Sequence, residues 1–342
     1  MWNPAVRLLA MAAIAAAMFA QTAVKTTKAW TPPKTSWGDP DLEGTWTSDD
    51  QFGVPFERPE KFGDRKWLTE QELAERVQED ELLQTSIEAG VRPNAGFWAR
   101  QKGVDAAAVP ANWVEYARRA SRQTSLVVAP LNGRIPPLTD SAKALAADAA
   151  ARRGQSPGSW EDLTMYDRCI TRGVAGSIFP VIYGNGTQFV QTPGLIAIRY
   201  EMIHETRMVP LDGRSHAAAN LRSYMGDPIG HWEGTTLVVE TTNFIGGRVS
   251  VGGNGAAGPP YSEDLRLIER FTRTSDKTIL YEVTISDPKT YTAPWTVAFP
   301  ITKEPGYQIF EYACHEGNYA MHNRLSAARA EERAAAAKAA GQ

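Results

Sequence analysis

All five histidines of the chain lie in its second half, after residue 203: His204, His216, His231, His315 and His322. Histidine transfers protons near neutral pH and is also a common metal ligand. A fold that brought several of these rings together would therefore suit general acid–base catalysis or metal binding. Taken one at a time, each ring is more simply explained as a structural residue. Three segments favour the functional interpretation.

The first segment contains Glu201 and His204, three positions apart. A tight turn between two strands would bring the carboxylate to the imidazole, and such a carboxylate orients a general base. A shift of one residue in strand register would turn the two side chains to opposite faces. The arginines of this segment could instead form surface ion pairs with Glu205 and Asp212. The substrate-binding residues predicted here are Tyr200, Arg207, Arg214 and His216.

The second segment is GHWEGTTLVVETTNF, residues 230–244, in which a glycine-bounded turn leads into a strand. We interpret His231 and Glu240 as substrate-binding residues. Glu240 lies in mid-strand, either on a solvated outer face, which we favour, or inside a polar barrel, where an unpaired charge is costly. Other mid-strand carboxylates and their candidate partners are Glu269, Glu282, Glu311, Arg266 and Arg270.

The third segment is YACHEGNY, residues 312–319, which is dense in polar side chains. His315 is a second candidate base, with Glu316 to orient it, and Asn318 and Tyr319 are candidate substrate ligands. A rigid support would suit such a site. It would equally suit a purely structural corner, and both interpretations stay open.

Cys169 and Cys314 are the only cysteines. In an exported protein a lone pair is most simply one disulfide. On the chain-entropy model a loop of this length stabilises the fold by roughly 5 kcal/mol, less any strain. Two buried thiols, or a catalytic thiolate at Cys314, are the alternatives.

Standard catalytic templates are missing from the sequence. It has no His-Glu-x-x-His, no Gly-x-Ser-x-Gly, no Walker loop and no Gly-x-Gly-x-x-Gly that opens a helix after a strand. The glycine-rich residues 252–258 precede two prolines and are interpreted as a loop that could cover a barrel mouth. No cofactor is predicted. A metal site formed by His204, His216 and His315 is a weaker alternative, because their spacing matches no known ligand pattern.

The N-terminus predicts export. Residues 8–20 are uniformly apolar and follow Arg7, as in a signal peptide. Thirteen residues are too few to span a bilayer, which needs about 20. We therefore expect residues 1–29 to be a signal peptide cleaved between about 20 and 29, and the mature protein to be periplasmic or secreted. The net charge of −3, without a basic stripe, argues against nucleic acid as a partner. The sequence carries no prediction of the oligomeric state.

Periodicity predicts a mainly β fold. Capping residues Thr69 and Thr139 open helices that run to about residues 87 and 153. From residue 187 the apolar period becomes two, which predicts an antiparallel meander closing into a barrel or a strongly twisted sheet. The helices are peripheral and N-terminal to it. The predicted strands lie near 187–200, 203–211, 234–243, 263–273, 278–287, 294–301 and 307–314.

One β-rich domain is expected over residues 30–325. Its helical and loop part covers 30–180 and its barrel part 181–325, followed by an Ala-rich tail, 326–342. Within the first part, Gly44-Thr-Trp46 resembles the Gly-x-Trp entry into a first barrel strand.

Five motifs together resemble a group of exported bacterial β-rich proteins. They are PDLEGTW at 40–46, NGRIPPL at 132–138, LDGRSH at 211–216, GHWEGTTLVVETTNF at 230–244 and YACHEGNY at 312–319. The resemblance covers nearly the whole mature chain. It implies export and one shared β-rich domain, and it implies no reaction.

The leading hypothesis is an exported lyase or isomerase that acts on a small apolar or aromatic molecule in a barrel cavity. His204 or His315 would be the base, and Arg207, Tyr200 or Tyr319 would stabilise negative charge on an oxygen. The alternatives are a non-catalytic periplasmic binding protein for a hydrophobic molecule, a metal-assisted hydrolase, and an envelope assembly component whose barrel would be filled by side chains.

Overall fold

The structure is a computed structural model that describes residues 30–89, 117, 119–153, 155–247, 249–251, 259–304 and 306–341. The described residues from Pro32 onward belong to one compact unit. The predicted signal peptide, residues 1–29, lies outside the described residues. The glycine-rich loop predicted at 252–258 lies outside them as well.

One antiparallel sheet dominates the fold, with the strand order β5-β4-β3-β1-β10-β9-β8-β7-β6, and β2 pairs with β10 beside this path. The strands are β1 (Gly44–Thr47), β2 (Val127–Ala129), β3 (Gly186–Thr192), β4 (Leu195–Tyr200), β5 (Thr206–Pro210), β6 (Asp227–Glu233), β7 (Thr236–Thr242), β8 (Arg266–Ser275), β9 (Thr278–Ser286) and β10 (Trp295–Lys303).

The sheet curls into a nearly closed barrel with one unsealed seam. Nine strands that alternate in direction leave β5 and β6 parallel at the two ends of the path. No ladder joins these two strands, both of which are fully described. They nevertheless pack closely, since a Cβ placed on Gly230 would lie 2.8 Å from side-chain atoms of both Val209 and Leu211. Glycine at this position lets β6 approach β5.

Strict alternation of burial explains why these residues form barrel strands. Along β9 every second residue from Ile279 to Ile285 is completely buried, while the residues between them are partly exposed. Period-two burial of this kind is what one packed sheet face requires. Trp46 on β1 is also completely buried, so the Gly-x-Trp entry is confirmed as a barrel strand. The predicted antiparallel barrel is confirmed.

The strands differ from the prediction in several places, and the short strand β2 was not predicted. The single strand expected near 187–200 is the hairpin β3–β4, which turns at Gly194 with a φ of +76°. β6 was not predicted, because Pro228 and Gly230 resemble turn residues. The strand expected near 307–314 does not form, since the described residues 306–318 have no strand structure.

Three α-helices occur in the described part of the chain: α1 (Glu70–Glu88), α2 (Asp140–Arg153) and α3 (Tyr319–Ala340). The Thr69 capping box is confirmed, as Thr69 and Glu72 exchange backbone-to-side-chain hydrogen bonds of 2.8 and 3.3 Å. The C-terminal helix begins at Tyr319, seven residues before the predicted tail. Among the helices in the described ranges, none combines the length and apolarity needed to cross a membrane.

Candidate functional site

The structure does not form the predicted Glu201–His204 pair. His204 is exposed, and its Nδ1 lies 2.8 Å from the backbone oxygen of Tyr312. The Glu201 carboxylate instead accepts hydrogen bonds from the Gly186 amide at 3.0 Å and from the Tyr307 hydroxyl. Glu201 is therefore a structural residue that ties the β4–β5 turn to neighbouring chain, and it does not orient His204.

The third segment behaves as a structural corner. His315 and Glu316 are exposed, and their side chains make no hydrogen bond to the described residues. Asn318 donates to the Asp167 backbone oxygen at 2.9 Å. Tyr319 is 72% exposed at the start of α3. The side chains of His315 and Glu316 therefore do not form the predicted pair of a general base and an orienting carboxylate.

The predicted disulfide between Cys169 and Cys314 is present, with a Cα–Cα distance of 5.6 Å. It joins the irregular segment after β10 to the segment that precedes β3. Asn318 Nδ2 lies 3.3 Å from Cys169 Sγ and adds a second contact at this junction. The corner is therefore held covalently next to the β4–β5 turn, where His204 contacts Tyr312.

Motif residues do meet on the outside of the barrel, in what we call the outer cluster: His216, Asp227, Glu240 and Arg266. His216 Nδ1 lies 3.0 Å from Asp227, and its Nε2 lies 3.6 Å from Glu240. Arg266 donates two hydrogen bonds, of 2.9 and 2.7 Å, to the Glu240 carboxylate. Glu240 thus occupies the favoured outer face, and these charges are mutually paired.

The remaining predicted ligands of the outer surface are paired locally. His231 Nε2 is 3.2 Å from Glu233, which also accepts from Arg270 at 2.7 Å. Arg214 pairs with Asp212 at 2.5 Å, as the surface alternative anticipated. None of these contacts brings His231 or Arg214 to the other histidines.

A second set of polar residues lies inside the barrel, and we call it the inner cluster: Tyr200, Arg207, Glu269 and Tyr281. Arg207 Nη1 donates to Glu269 at 2.6 Å, and the two side chains are 1% and 0% exposed. Tyr281 donates to the other Glu269 oxygen at 3.1 Å. The Arg207 guanidinium lies 5.8 Å from the centre of the Tyr200 ring.

This inner pairing corrects two expectations. Arg266 and Arg270 are not the partners of Glu269, because they form ion pairs on the outer face. Arg266 pairs with Glu240, and Arg270 pairs with Glu233. Arg207 does not form a surface pair with Glu205. It reaches across the barrel interior from β5 to β8, a contact between residues 62 positions apart.

Burial and pairing shift the pKa values of the inner cluster. Burial raises the pKa of the Tyr200 hydroxyl, which keeps the phenol neutral. Burial alone would lower the pKa of Arg207, but the Glu269 carboxylate outweighs it and the pKa is raised. The inner cluster therefore holds the Arg207–Glu269 ion pair beside neutral phenols in a low-dielectric interior, where electrostatic interactions are strong.

Glu205 is a functional candidate that the sequence did not single out. It precedes Arg207 by two positions, so the two residues share a face of the chain as it enters β5. Its carboxylate accepts from the Thr171 hydroxyl at 2.8 Å and from the Arg172 amide. Burial raises the pKa of Glu205 despite these hydrogen bonds, whereas Arg266 lowers the pKa of Glu240. In the sequence, the only sign that Glu205 lies near Arg207 is their spacing of two residues.

Tyrosines surround the buried Arg172 next to Glu205. The Arg172 guanidinium lies 5.8 Å from the centre of the Tyr166 ring. Tyr183 stacks on Tyr312 with ring centres 6.4 Å apart, and its hydroxyl hydrogen-bonds with those of Tyr166 and Tyr312. Burial raises the pKa of Tyr166. Arg172 also interacts electrostatically with Glu205, which makes this end of the barrel strongly polar.

Unusual backbone conformations occur around the same end. Cys169, Ile203 and His204 have positive φ angles of 55°, 64° and 51°. Such conformations cost non-glycine residues of order 1–3 kcal/mol each and are enriched at functional sites. Here they occur at the β4–β5 turn, next to Glu205, and at the Cys169–Cys314 disulfide.

The rest of the barrel interior is filled by its own side chains. Inner-facing residues of the strands pack into one hydrophobic cluster that includes Ile198, Val239 and Phe271. None of the described histidines belongs to it. Within the ranges that the structure describes, no group of three or more His, Cys, Asp or Glu residues could hold a metal ion. The hypothesis that several histidines share one cavity therefore loses its geometric basis.

Comparison with known proteins gives no family model, no curated protein and no solved structure that matches the chain. A function must therefore be argued from the geometry around Glu205 and the inner cluster.

Proposed function

We propose that this protein is an exported enzyme of the lyase or isomerase type, with Glu205 as its general acid–base. One observation carries the proposal: the partly buried Glu205 carboxylate, just before β5 and two positions from Arg207, accepts from Thr171 at 2.8 Å. Burial raises the pKa of this carboxyl. A perturbed carboxyl next to specific charged partners is a recognised mark of an active site. Glu205 takes the role that the sequence suggested for His204 or His315.

Glu205 suits proton transfer because its environment opposes its charge. A catalytic carboxyl works best when its pKa approaches the working pH, and burial moves Glu205 in that direction. The Thr171 hydroxyl fixes one carboxylate oxygen at 2.8 Å. In the proposed reaction Glu205 accepts a proton from the substrate, and the same proton returns to a different atom or leaves with a product.

The interior chemistry favours a small apolar or aromatic substrate. Aliphatic and aromatic side chains surround the inner cluster, as Ile198, Val209 and Phe271 illustrate. Arg207 and Tyr200 are the groups that would stabilise negative charge on a substrate oxygen. Preorganised hydrogen-bond donors in a water-poor interior are effective for this purpose.

Export completes the proposal. The apolar N-terminal segment supports a periplasmic or secreted location, and the Cys169–Cys314 disulfide is consistent with an oxidising compartment. The acidic net charge supports a small molecule rather than nucleic acid as the partner.

Proton exchange provides the test without knowledge of the natural substrate. The mature protein is incubated in D2O with a panel of small ketones and aldehydes, and deuterium uptake next to the carbonyl is followed by NMR. We expect uptake above buffer with the wild type and a loss of at least about 100-fold in Glu205→Gln, the usual scale for a general base. Glu201→Gln is the matched control. Uptake that survives Glu205→Gln, or is absent across the panel, contradicts the proposal.

The filled interior favours a second candidate, an envelope assembly component without catalytic activity. Packed inner-facing side chains, such as those of Tyr281 and Phe271, are what that alternative requires. It predicts neither exchange nor ligand binding. Ligand binding without exchange would indicate a carrier of hydrophobic molecules, and exchange abolished by a chelator would indicate metal-assisted chemistry.

A further inference from the structure

The Arg207 guanidinium has hydrogen-bonding capacity that the protein does not use. Nη1 donates to Glu269, but Nε and Nη2 have no acceptor among the described residues. The side chain is 1% exposed, so bulk water does not reach these atoms. Buried donors of this kind are rare in folded proteins, because losing water without gaining a partner is unfavourable.

The hydroxyl of Tyr200 has the same property. It interacts electrostatically with Arg207, but it makes no hydrogen bond of normal geometry to the described residues. The whole tyrosine is completely buried. Two neighbouring side chains, from the end of β4 and the start of β5, therefore present unused donors to the same part of the interior.

Charge balance limits what these donors can bind. Glu269 already neutralises Arg207 through an ion pair of 2.6 Å. An anion would bring a second negative charge next to Glu269 in a buried setting, which is costly. A neutral oxygen acceptor on an apolar molecule would satisfy the donors and suit the surrounding hydrophobic side chains.

We propose that Arg207 Nε and Nη2, together with the Tyr200 hydroxyl, bind the carbonyl oxygen of a neutral ketone or aldehyde with an apolar or aromatic frame. This inference rests on the proposed function, because it names the substrate class of the Glu205 site. Carboxylates and phosphate esters are excluded by Glu269. The carbonyl lies beside Arg207, and the carbon next to it faces Glu205.

The proton and electron balance of the step is complete without a co-reactant. The Glu205 carboxylate takes a proton from the carbon next to the carbonyl. The electron pair of the broken C–H bond moves onto the carbonyl oxygen, which becomes an enolate held by Arg207 and Tyr200. The negative charge passes from Glu205 to the enolate, so the net charge of the site does not change, whereas a bound carboxylate or phosphate ester would add a negative charge beside Glu269. Return of the proton from Glu205 to a different carbon of a conjugated enolate gives an isomer, and Glu205 is regenerated as a carboxylate.

The unsealed seam supplies a route to this site. Arg207 lies on β5, one of the two strands that border the seam, and no ladder holds β5 to β6. Separation of the two strands therefore breaks side-chain contacts, such as those around Gly230, without breaking paired backbone hydrogen bonds.

Binding of matched probes tests the site. Acetophenone and benzoate have similar size, but one presents a neutral carbonyl and the other a carboxylate. Dissociation constants are measured by NMR titration of the mature protein. We expect acetophenone to bind the wild type and benzoate to bind at least tenfold more weakly. Tyr200→Phe, which removes only the hydroxyl, is expected to weaken acetophenone binding about tenfold. Benzoate binding as tight as acetophenone overturns the inference.

A charge-balanced double variant keeps the test decisive if the single variants misfold. Arg207→Met with Glu269→Leu removes both charges at similar volume, a replacement that buried pairs generally tolerate. We expect this variant to keep the wild-type circular dichroism and to lose acetophenone binding. Unchanged acetophenone affinity in both this variant and Tyr200→Phe overturns the inference.

Three variants separate this inference from the proposed function. If Glu205→Gln binds acetophenone but no longer promotes deuterium uptake, both are supported. If uptake depends on Glu205 but is unaffected by Tyr200→Phe and by the double variant, the carbonyl site is wrong and the catalytic role of Glu205 stands. If acetophenone binding depends on Arg207 and Tyr200 while uptake ignores Glu205, the site stands and the proposed base is wrong.

Discussion

Two arginine–glutamate pairs on the same barrel differ almost only in the side of the sheet they occupy. Arg207 and Glu269 meet at 2.6 Å with side chains 1% and 0% exposed. Arg266 and Glu240 meet at 2.7 Å with side chains 48% and 32% exposed. Both pairs use β8, on which Arg266 and Glu269 are three positions apart and therefore face opposite sides.

The comparison shows that burial, rather than residue type, decides how strongly the two members of such a pair depend on each other. Water screens the outer pair, so its net contribution is small. The two side chains of the inner pair have lost their hydration, and the charge of each is compensated by the other. A hydrogen-bond donor without an acceptor is therefore costly beside the inner pair. Beside the outer pair the same donor would bond to water.

Breaking each pair in the same way gives the largest expected contrast. Glu269→Gln leaves Arg207 charged in the interior, and we expect the free energy of unfolding to fall by about 3–5 kcal/mol. Glu240→Gln removes a solvated partner of Arg266, and we expect a loss of about 0–1 kcal/mol. Urea unfolding at pH 7 measures both values.

The double variant Arg207→Met with Glu269→Leu serves as the control for this contrast. It is expected to recover most of the stability that Glu269→Gln loses, because no uncompensated charge is left behind. Equal losses for the inner and outer substitutions would show that the two pairs are equivalent and would remove the distinction drawn above.

Much of the fold could be predicted from the sequence because its strands repeat one pattern. The alternation along β8 and β9 is long and regular, and long periodic segments are the easiest to assign. β6 escaped prediction because Pro228 and Gly230 are typical of turns. Their positions beside the seam explain why both are tolerated, since Pro228 is the second residue of an edge strand and Gly230 permits close packing.

The candidate site was harder to predict, because it depends on contacts between distant strands. The spacing of three residues places the Glu201 and His204 backbones together, but it does not determine where the Glu201 side chain points. That carboxylate accepts a hydrogen bond from the Gly186 amide instead. Pairing of Arg207 with Glu269 depends on barrel curvature, which no local pattern encodes. Histidine clustering in the sequence reflected residues that the structure spreads over the outer surface.

Glu205 and Glu240 should give pH dependences of opposite sign. The pKa of Glu205 is raised above the ordinary 4.5 by burial, so the stability associated with its protonated form is lost as the pH rises through the folded pKa. The pKa of Glu240 is lowered by Arg266, so its stabilising effect is lost as the pH falls through the folded pKa.

Unfolding free energies of wild type, Glu205→Gln and Glu240→Gln between pH 3 and 8 test these signs. Relative to Glu205→Gln, the wild type should lose stability as the pH increases. Relative to Glu240→Gln, it should lose stability as the pH decreases. A wild type that gains on Glu205→Gln with rising pH would mean that Glu205 is a stabilised carboxylate, unsuited to the proposed role.

The two paired histidines of the outer face define the smallest expected effect. His216 is only 21% exposed and contacts carboxylates on both ring nitrogens, whereas His231 is 61% exposed beside Glu233 alone. We expect His216→Ala to lower the free energy of unfolding by about 0.5–1.5 kcal/mol, the value of a typical hydrogen bond. His231→Ala should stay within about 0.5 kcal/mol of wild type, as exposed substitutions usually do. Thermal and urea unfolding measure both, and deuterium uptake by either variant should match the wild type, because neither ring lies in the barrel. A loss of uptake in His216→Ala with stability unchanged would move the chemistry from the interior to the outer cluster.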